Sequence, residues 1–575
     1  MASQSTYEYY KDDLSKIPPL RMIADTLILD NKVRTVTAAE AYELALEQWD
    51  VQITDLPIYP KAAERLGLPK GATVLNNCHG RVIGRTAQAR RFYHELGKNE
   101  NKVLGDLREA VSDLQERPLI KADAIIGLDP DLMLKATIVG TEDDAVNIFN
   151  WLVNFTPFDE KAAEYAKSAK LPIQDILVIG DNEWQNDDPF YHNLTNPQLA
   201  LIDVNANVIF NFGMRYFGER KKGTLTLAWN SGLRLGMAAC HGGIKEIDFT
   251  GCKGPEKTIG KRSISFFGLS GTGKSSHTNS IDNAGTLPEG FAKVVLHDDA
   301  FQIDVENKVC RVWEPTLFDK TDSRPLGHPD WEYFISVMNH GQVLVDGKNL
   351  PIGLDIRNGN GRALLDRDLL GQWVNRCAFP EVMVWLMKDA CLPPIMRFTD
   401  ENLAVAMGAA LMTKRNVAEN VSEEELKKLV FVPFANPFRV YPLWQDVEAF
   451  INVFQNGATG YAFNSMGFWK SGPETLTKIP LKTSLTLQTA ILTDKLAWED
   501  YPLLPGAQIP TRESVNALVP EFYETYATDA VLNREAYLET MEDRFAQRRA
   551  YLESTDLKDK PELLAKLLGA LRVKA

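Results

Sequence analysis

An α/β protein of at least two domains is what this sequence predicts, on three observations. The chain has 575 residues, more than one hydrophobic core ordinarily serves. Short apolar runs such as Ile176–Gly180 (ILVIG), Leu199–Val204 and Val382–Met387 read as buried strands, and they alternate with helical patterns such as Ala38–Trp49. The apolar run Ile264–Phe267 leads directly into Gly268-Leu269-Ser270-Gly271-Thr272-Gly273-Lys274-Ser275-Ser276. That is the G-x-x-x-x-G-K-[ST] phosphate loop, with a strand before it and a polar helix start after it.

The chain in order adds candidates to that frame. Thr73–Leu75 reads as a strand, followed by a polar turn holding His79, Arg81 and Arg85 and then by a basic helix. Arginines on a loop after a strand suit a carboxylate or phosphate clamp, or simply surface charge. From Asp123 to Phe158 apolar stretches alternate with helical periodicity. Met214–Trp229 sets Tyr216, Arg220, Lys221 and Lys222 ahead of a Thr/Leu segment read as a strand. Adjacent lysines are consistent with a solvated face or with function. His241 follows in Gly236–Gly243, and Gly251–Lys261 suits a hairpin or a link.

Three glycines let the loop backbone curl so that successive N–H groups turn inward around phosphate oxygens. The helix start contributes partial positive charge, Lys274 a full charge, and Ser275 a hydroxyl for a divalent cation. Val294–Leu296 then reads as a strand ending in His297-Asp298-Asp299. Acidic residues at a strand end beside a phosphate loop suit a metal-holding role, though such a pair also serves turns and caps. Residues 408–435 are polar and helix-like, the pattern of a mobile cover, and the tail from Glu521 onward is charged and helical.

Composition narrows the function classes. A formal net charge of −14 argues against nucleic acid or an anionic membrane as main partner. Six scattered cysteines without a CxxC pair disfavour a disulfide frame or a thiolate zinc site. No basic-then-apolar leader and no run of about 18 apolar residues is present, so a cytoplasmic location is expected.

These pieces together resemble the ATP-dependent phosphoenolpyruvate carboxykinases, most strongly from about Asn211 to Leu492. Phe266–Lys274 (FFGLSGTGK) is similar to that family's own phosphate loop. Tyr216–Gly223 resembles its Tyr-Gly-Gly-Glu-Met-Lys-Lys-Gly, and Leu392–Thr399 its Leu-Pro-Pro-Val-Ser-Arg-Leu-Thr. The resemblance implies an N-terminal α/β domain over residues 1–255 and a mixed-sheet nucleotide-binding domain over 256–575, with the active site in the cleft between them. It also implies ATP/ADP, Mg²⁺ and Mn²⁺ as cofactors, and oxaloacetate, phosphoenolpyruvate or another small acid as substrate.

Roles are implied by position. Lys222 (as a neutral amine), His241 and Asp299 would hold Mn²⁺, and Ser275 with Asp298 would serve the Mg²⁺ of the nucleotide. Lys274 and Lys320 would bind transferring phosphoryl oxygens, and Arg362 would neutralise γ-phosphate charge. Arg81 would grip the substrate carboxylate, with Lys478 and Ser484 near adenine and ribose. Three stretches depart from the family: Val82–Arg85, Ala300-Phe301-Gln302 and Asn358–Arg362. They keep a second expectation open, a kinase on the same scaffold acting on another small-molecule or protein hydroxyl.

Overall fold

The computed structural model describes residues 1–30, 32–77, 89–193, 196–269, 271–279, 287–353, 359–414, 424, 428–473, 475–526 and 531–574. Arg81, Ser270, the loop Val82–Arg85 and much of the expected cover at 408–435 lie outside the described residues. By packing, the chain forms two compact units. One comprises Met1–Ser231 and Val312–Leu369; the other comprises Gly232–Arg311, Leu370–Asn416 and Val421–Ala575.

These units do not follow the expected boundary at residue 255, and strand pairing explains why. Thr316–Lys320, Arg362–Asp366 and Phe334–Met338 complete a five-stranded sheet with Thr73–Asn77 and Val51–Pro57, which draws residues after the phosphate loop into the first unit. Conversely, Gly243–Asp248 pairs with Lys261–Phe267 and Ala292–His297, so residues before 255 belong to the second.

The first unit also contains a mixed sheet ordered Arg34–Thr35, Leu119–Ile126, Leu134–Thr141, Ile176–Asp181, Val208–Phe212, Leu199–Asp203, Arg90–Phe92. Its central strands are buried on both faces, as continuous apolar runs such as ILVIG require. Arg90–Phe92 is a strand parallel to Leu199–Asp203, not the start of the basic helix expected there. Thr224–Trp229 is likewise helical, within Phe217–Arg234. Its alternating Thr and Leu suggested a strand, but every residue from Thr224 to Trp229 is buried, so no one-sided helical period shows. Thr224 satisfies its hydroxyl by donating to the Arg220 carbonyl one turn back at 2.8 Å.

In the second unit, a mixed eight-stranded sheet runs Ala292–His297, Gly243–Asp248, Lys261–Phe267, Val382–Met387, Thr459–Asn464, Ile395–Phe398, Ala507–Pro510, Trp498–Asp500. Lys261–Phe267, Val382–Met387 and Thr459–Asn464 are mutually parallel, and the remaining neighbours are antiparallel. Behind the central strands, Trp385 packs on Phe267 (centroids 4.9 Å) and on Phe434, which stacks on Phe450 at 4.3 Å. Where the sequence suggested a helical cover, the described parts of 408–435 include an antiparallel strand pair, Met412–Lys414 with Leu429–Phe431. Among the described residues, no helix is long and apolar enough to cross a membrane, and five cysteines are unpaired and buried.

Candidate functional site

The phosphate-loop motif follows the buried strand Lys261–Phe267 and precedes a helix described over Lys274–Asn279. Gly271 and Gly273 have φ of 80° and 93°, conformations that L side chains rarely adopt, so the turn depends on glycine there. Gly268 is required for space. A Cβ would lie 2.9 Å from Leu386 Cβ and 2.2 Å from Thr272 Oγ1, whose hydroxyl donates to the Leu269 carbonyl at 2.7 Å. Gly268→Ala is therefore expected to displace the turn, costing roughly 1–3 kcal/mol of stability. It should also weaken nucleotide binding by at least about tenfold, since loop amides are moved from their aim. Unchanged melting and nucleotide titration would contradict this.

Lys274 projects from the loop to the end of the strand Ala292–His297, two places along the sheet from the loop's own strand. Its ammonium donates to the Asp298 carbonyl and lies 3.7 Å from Asp298 Oδ1 and 3.5 Å from Asp299 Oδ1. The turn that presents these carboxylates is fixed by His297, whose Nδ1 accepts the amides of Asp299 (3.0 Å) and Ala300 (3.2 Å). Asn279 donates to Asp298 Oδ2 at 2.9 Å. The segment after the acidic pair, Ala300–Asp304, is a buried strand pairing antiparallel with Ala238–His241, with His241 opposite Ala300.

That pairing brings His241 to the acidic turn: its Nε2 is 3.2 Å from Asp299 Oδ1. Its Nδ1 is 2.7 Å from the Ala435 carbonyl, which can only accept. The carbonyl fixes Nδ1 as a donor, so Nε2 is the nitrogen turned toward the Asp299 carboxylate. A ring nitrogen and a carboxylate that close form an ion pair when the ring is protonated and can share a cation when it is not, and a histidine whose other nitrogen donates to a backbone carbonyl has the usual outer support of a metal ligand. The nitrogen–oxygen pair thus fits a divalent cation. Among the described residues, no group of three or more His, Cys, Asp or Glu gathers as a metal cluster.

The carbonyl that orients His241 comes from strained backbone. Phe434 and Ala435 have φ of 50° and 53°, in the left-handed region that non-glycine residues adopt at a cost of order 1–3 kcal/mol each. The Phe434 ring, locked against Phe450 and Trp385, holds the turn. Nothing in the local sequence announces this residue's contribution.

Cations beneath the loop helix were also not anticipated. Lys245 is fully buried and donates to the His277 carbonyl, while Lys293 donates to the Asn279 carbonyl at 2.8 Å. Burial and then the nearby Lys293 lower the Lys245 pKa to about 7, and burial lowers that of Lys293 to about 8. Unfolded lysines keep their proton to a pH of roughly 10. Between about 7 and 10 the unfolded chain therefore binds more protons at Lys245, so its contribution makes stability rise with pH across that window. Lys245→Met should flatten the rise, read from urea midpoints of metal-free protein at pH 7 and 9.5. Identical slopes in both proteins would contradict it.

The helix Leu481–Leu492 docks beside the loop helix, with Gln488 Oε1 2.8 Å from His277 Nδ1. Ser484 precedes Gln488 by four residues and so shares its helix face, whereas Lys478 is exposed before the helix start. Ser275 is half-buried in the first turn of the loop helix.

Within the first unit, the strands Thr316–Lys320 and Arg362–Asp366 place Lys320 directly opposite Arg362. Arg362 Nε donates to Asn360 Oδ1 at 3.0 Å, and its guanidinium lies 5.7 Å from the centre of the Phe318 ring. Two cations at a cross-strand position repel, an arrangement that an anion would relieve. The stretch Glu219–Lys222 separates by burial. Glu219 pairs with Arg90 at 2.5 Å, Arg220 with Asp144, and fully buried Lys221 with fully buried Glu314 at 2.9 Å. Lys222 is half-buried, 5.9 Å from the centre of the Trp229 ring. Of the two lysines, Lys221 is thus committed to a structural ion pair rather than to a solvated face.

Fold and site define the class: a mixed α/β protein whose phosphate-loop motif opens onto an acidic pair supported by a histidine. Residues 96–288, which include Lys222, His241 and the loop, match the family model described as phosphoenolpyruvate carboxykinase. The match covers about a third of the chain, and over that span the chain is similar to the phosphoenolpyruvate carboxykinases, a family that uses ATP and divalent metals. No curated protein matches the chain.

Proposed function

We propose that the chain carries out ATP-dependent phosphoryl transfer of the carboxykinase type, converting oxaloacetate and ATP into phosphoenolpyruvate, CO₂ and ADP. The observation that carries this reading is Lys274, held between the loop glycines and the Asp298/Asp299 turn that also receives His241. The family match supports it.

In this reading the bond from C3 to the departing carboxylate breaks, CO₂ leaves, and the electron pair forms an enolate whose C2 oxygen attacks the γ-phosphorus. ADP departs with the electrons of the broken P–O bond. The protein's part is mainly electrostatic, since charge spreads over phosphoryl oxygens in such a transition state. Backbone amides from Gly268 to Gly273 cradle the phosphates, and Lys274 with Lys320 neutralises transferring oxygens. Arg362 neutralises γ-phosphate charge, and Arg81 grips the substrate carboxylate. Lys478 and Ser484 serve adenine and ribose. Lys222, His241 and Asp299 would hold Mn²⁺, and Ser275 with Asp298 would hold Mg²⁺, supplying Lewis-acid stabilisation of developing oxygen charge.

The test is purified protein with oxaloacetate, ATP, Mg²⁺ and Mn²⁺, following phosphoenolpyruvate and ADP. Equimolar formation of both is expected. Nucleotide turnover with phosphate delivered to another hydroxyl would instead support the second reading, a kinase on this scaffold, which draws on the departures at Val82–Arg85 and Ala300–Gln302.

A further inference from the structure

The second unit contains a cavity of about 190 Å³ whose wall includes Lys414, Lys428 and Arg544, together with Cys391, Met466 and Thr540. Among the described residues, no carboxylate lines it. Among the described residues, neither Lys414 nor Lys428 makes an ion pair, and Arg544 donates only to Gln547 on its own helix, at 3.2 Å. Surface cations elsewhere in this unit are commonly paired, as in Lys495–Glu256 at 3.0 Å and Arg262–Glu381 at 2.8 Å. Three positive charges around one cavity with no carboxylate partner among the described residues are unusual in a chain of net charge −14.

Two of the cations stand on regular elements. Lys414 pairs opposite Leu429, the residue after Lys428, in the short antiparallel ladder. Arg544 lies on the helix Arg534–Ser554, which is anchored by the fully buried Arg548–Asp389 pair at 2.8 Å and by the Tyr537 hydroxyl donating to the Cys391 carbonyl at 2.8 Å. A fourth cation adjoins them. Lys388 follows the strand Val382–Met387, and burial and then Lys414 lower its pKa. Its ammonium would lie 3.9 Å from a Cβ placed on Gly271. Lys414, Lys428 and Arg544 line one volume large enough for a small anion and a few waters.

We propose that this cavity is a binding site for a small dianion, either phosphate or a short dicarboxylate, distinct from the site of the nucleotide. Three donors of like charge around one cavity suit such a ligand and repel one another without it. The proposal does not depend on the carboxykinase reading.

The test is isothermal titration of the full chain with orthophosphate and, separately, succinate, at about 0.15 M salt so that diffuse attraction is screened. It is run with and without a saturating non-hydrolysable ATP analogue. One equivalent of at least one probe should bind in both conditions, and the stronger of the two identifies the ligand chemistry. A Lys414→Met/Lys428→Met variant should bind it at least about tenfold more weakly with unchanged melting. If that variant melts lower, Arg544→Gln is read instead and should show the same loss. Absence of binding to the wild-type chain at millimolar probe, equal binding by the variants, or loss of binding when the analogue is present would each overturn the proposal.

Discussion

Lys274→Ala is expected to lower nucleotide turnover by roughly 10²–10³-fold, the usual consequence of removing one preorganised charge from a site where negative charge develops. The ammonium already points at the acidic turn, donating to the Asp298 carbonyl and lying within 3.7 Å of both carboxylates. Losing it leaves Asp298, only 8% exposed, without that partner. Melting should therefore fall modestly as well, and Lys274→Met, which keeps most of the stem volume, separates packing from charge. Both variants should lose turnover alike. Retention of turnover by Lys274→Met would mean that the lysine acts through packing.

His241→Ala is expected to remove the transition-metal dependence while leaving nucleotide affinity within about threefold of wild type. In its proposed role as a ligand, loss of His241 should weaken Mn²⁺ binding by at least about 10- to 100-fold, the scale reached even when only an outer partner of a ligand is removed. The geometry behind this is the Nδ1 contact to Ala435 at 2.7 Å and the Nε2 contact to Asp299 at 3.2 Å. Paramagnetic relaxation of water by Mn²⁺ reads the affinity independently of catalysis. Unchanged Mn²⁺ affinity would remove His241 from the metal site and leave it a structural link between the strained turn and the acidic pair.

Much of the framework was legible in the sequence because its signals are local. The strand, glycine turn and lysine at 264–274 follow one another, and the strand ending in Asp298-Asp299 is a short apolar run closed by charge. The helix Phe217–Arg234 was not legible over Thr224–Trp229, since burial on every side erased the period that marks a helix. Partners far apart in sequence were also hidden. Lys221 is neutralised by Glu314, Lys320 stands opposite Arg362, and the Ala435 carbonyl orients a histidine 194 residues away. Each depends on tertiary pairing that composition and spacing do not encode. Return of residues 312–369 to the first unit's sheet is the same effect at larger scale.

The proposed reaction can be read most directly in reverse. Protein supplied with phosphoenolpyruvate, ADP, Mg²⁺, Mn²⁺ and ¹³C-bicarbonate is expected to yield ATP and oxaloacetate in equal amounts, with the label in the newly formed carboxylate. ATP formation without labelled oxaloacetate, or no ATP at all from protein that binds nucleotide, would contradict the carboxykinase reading.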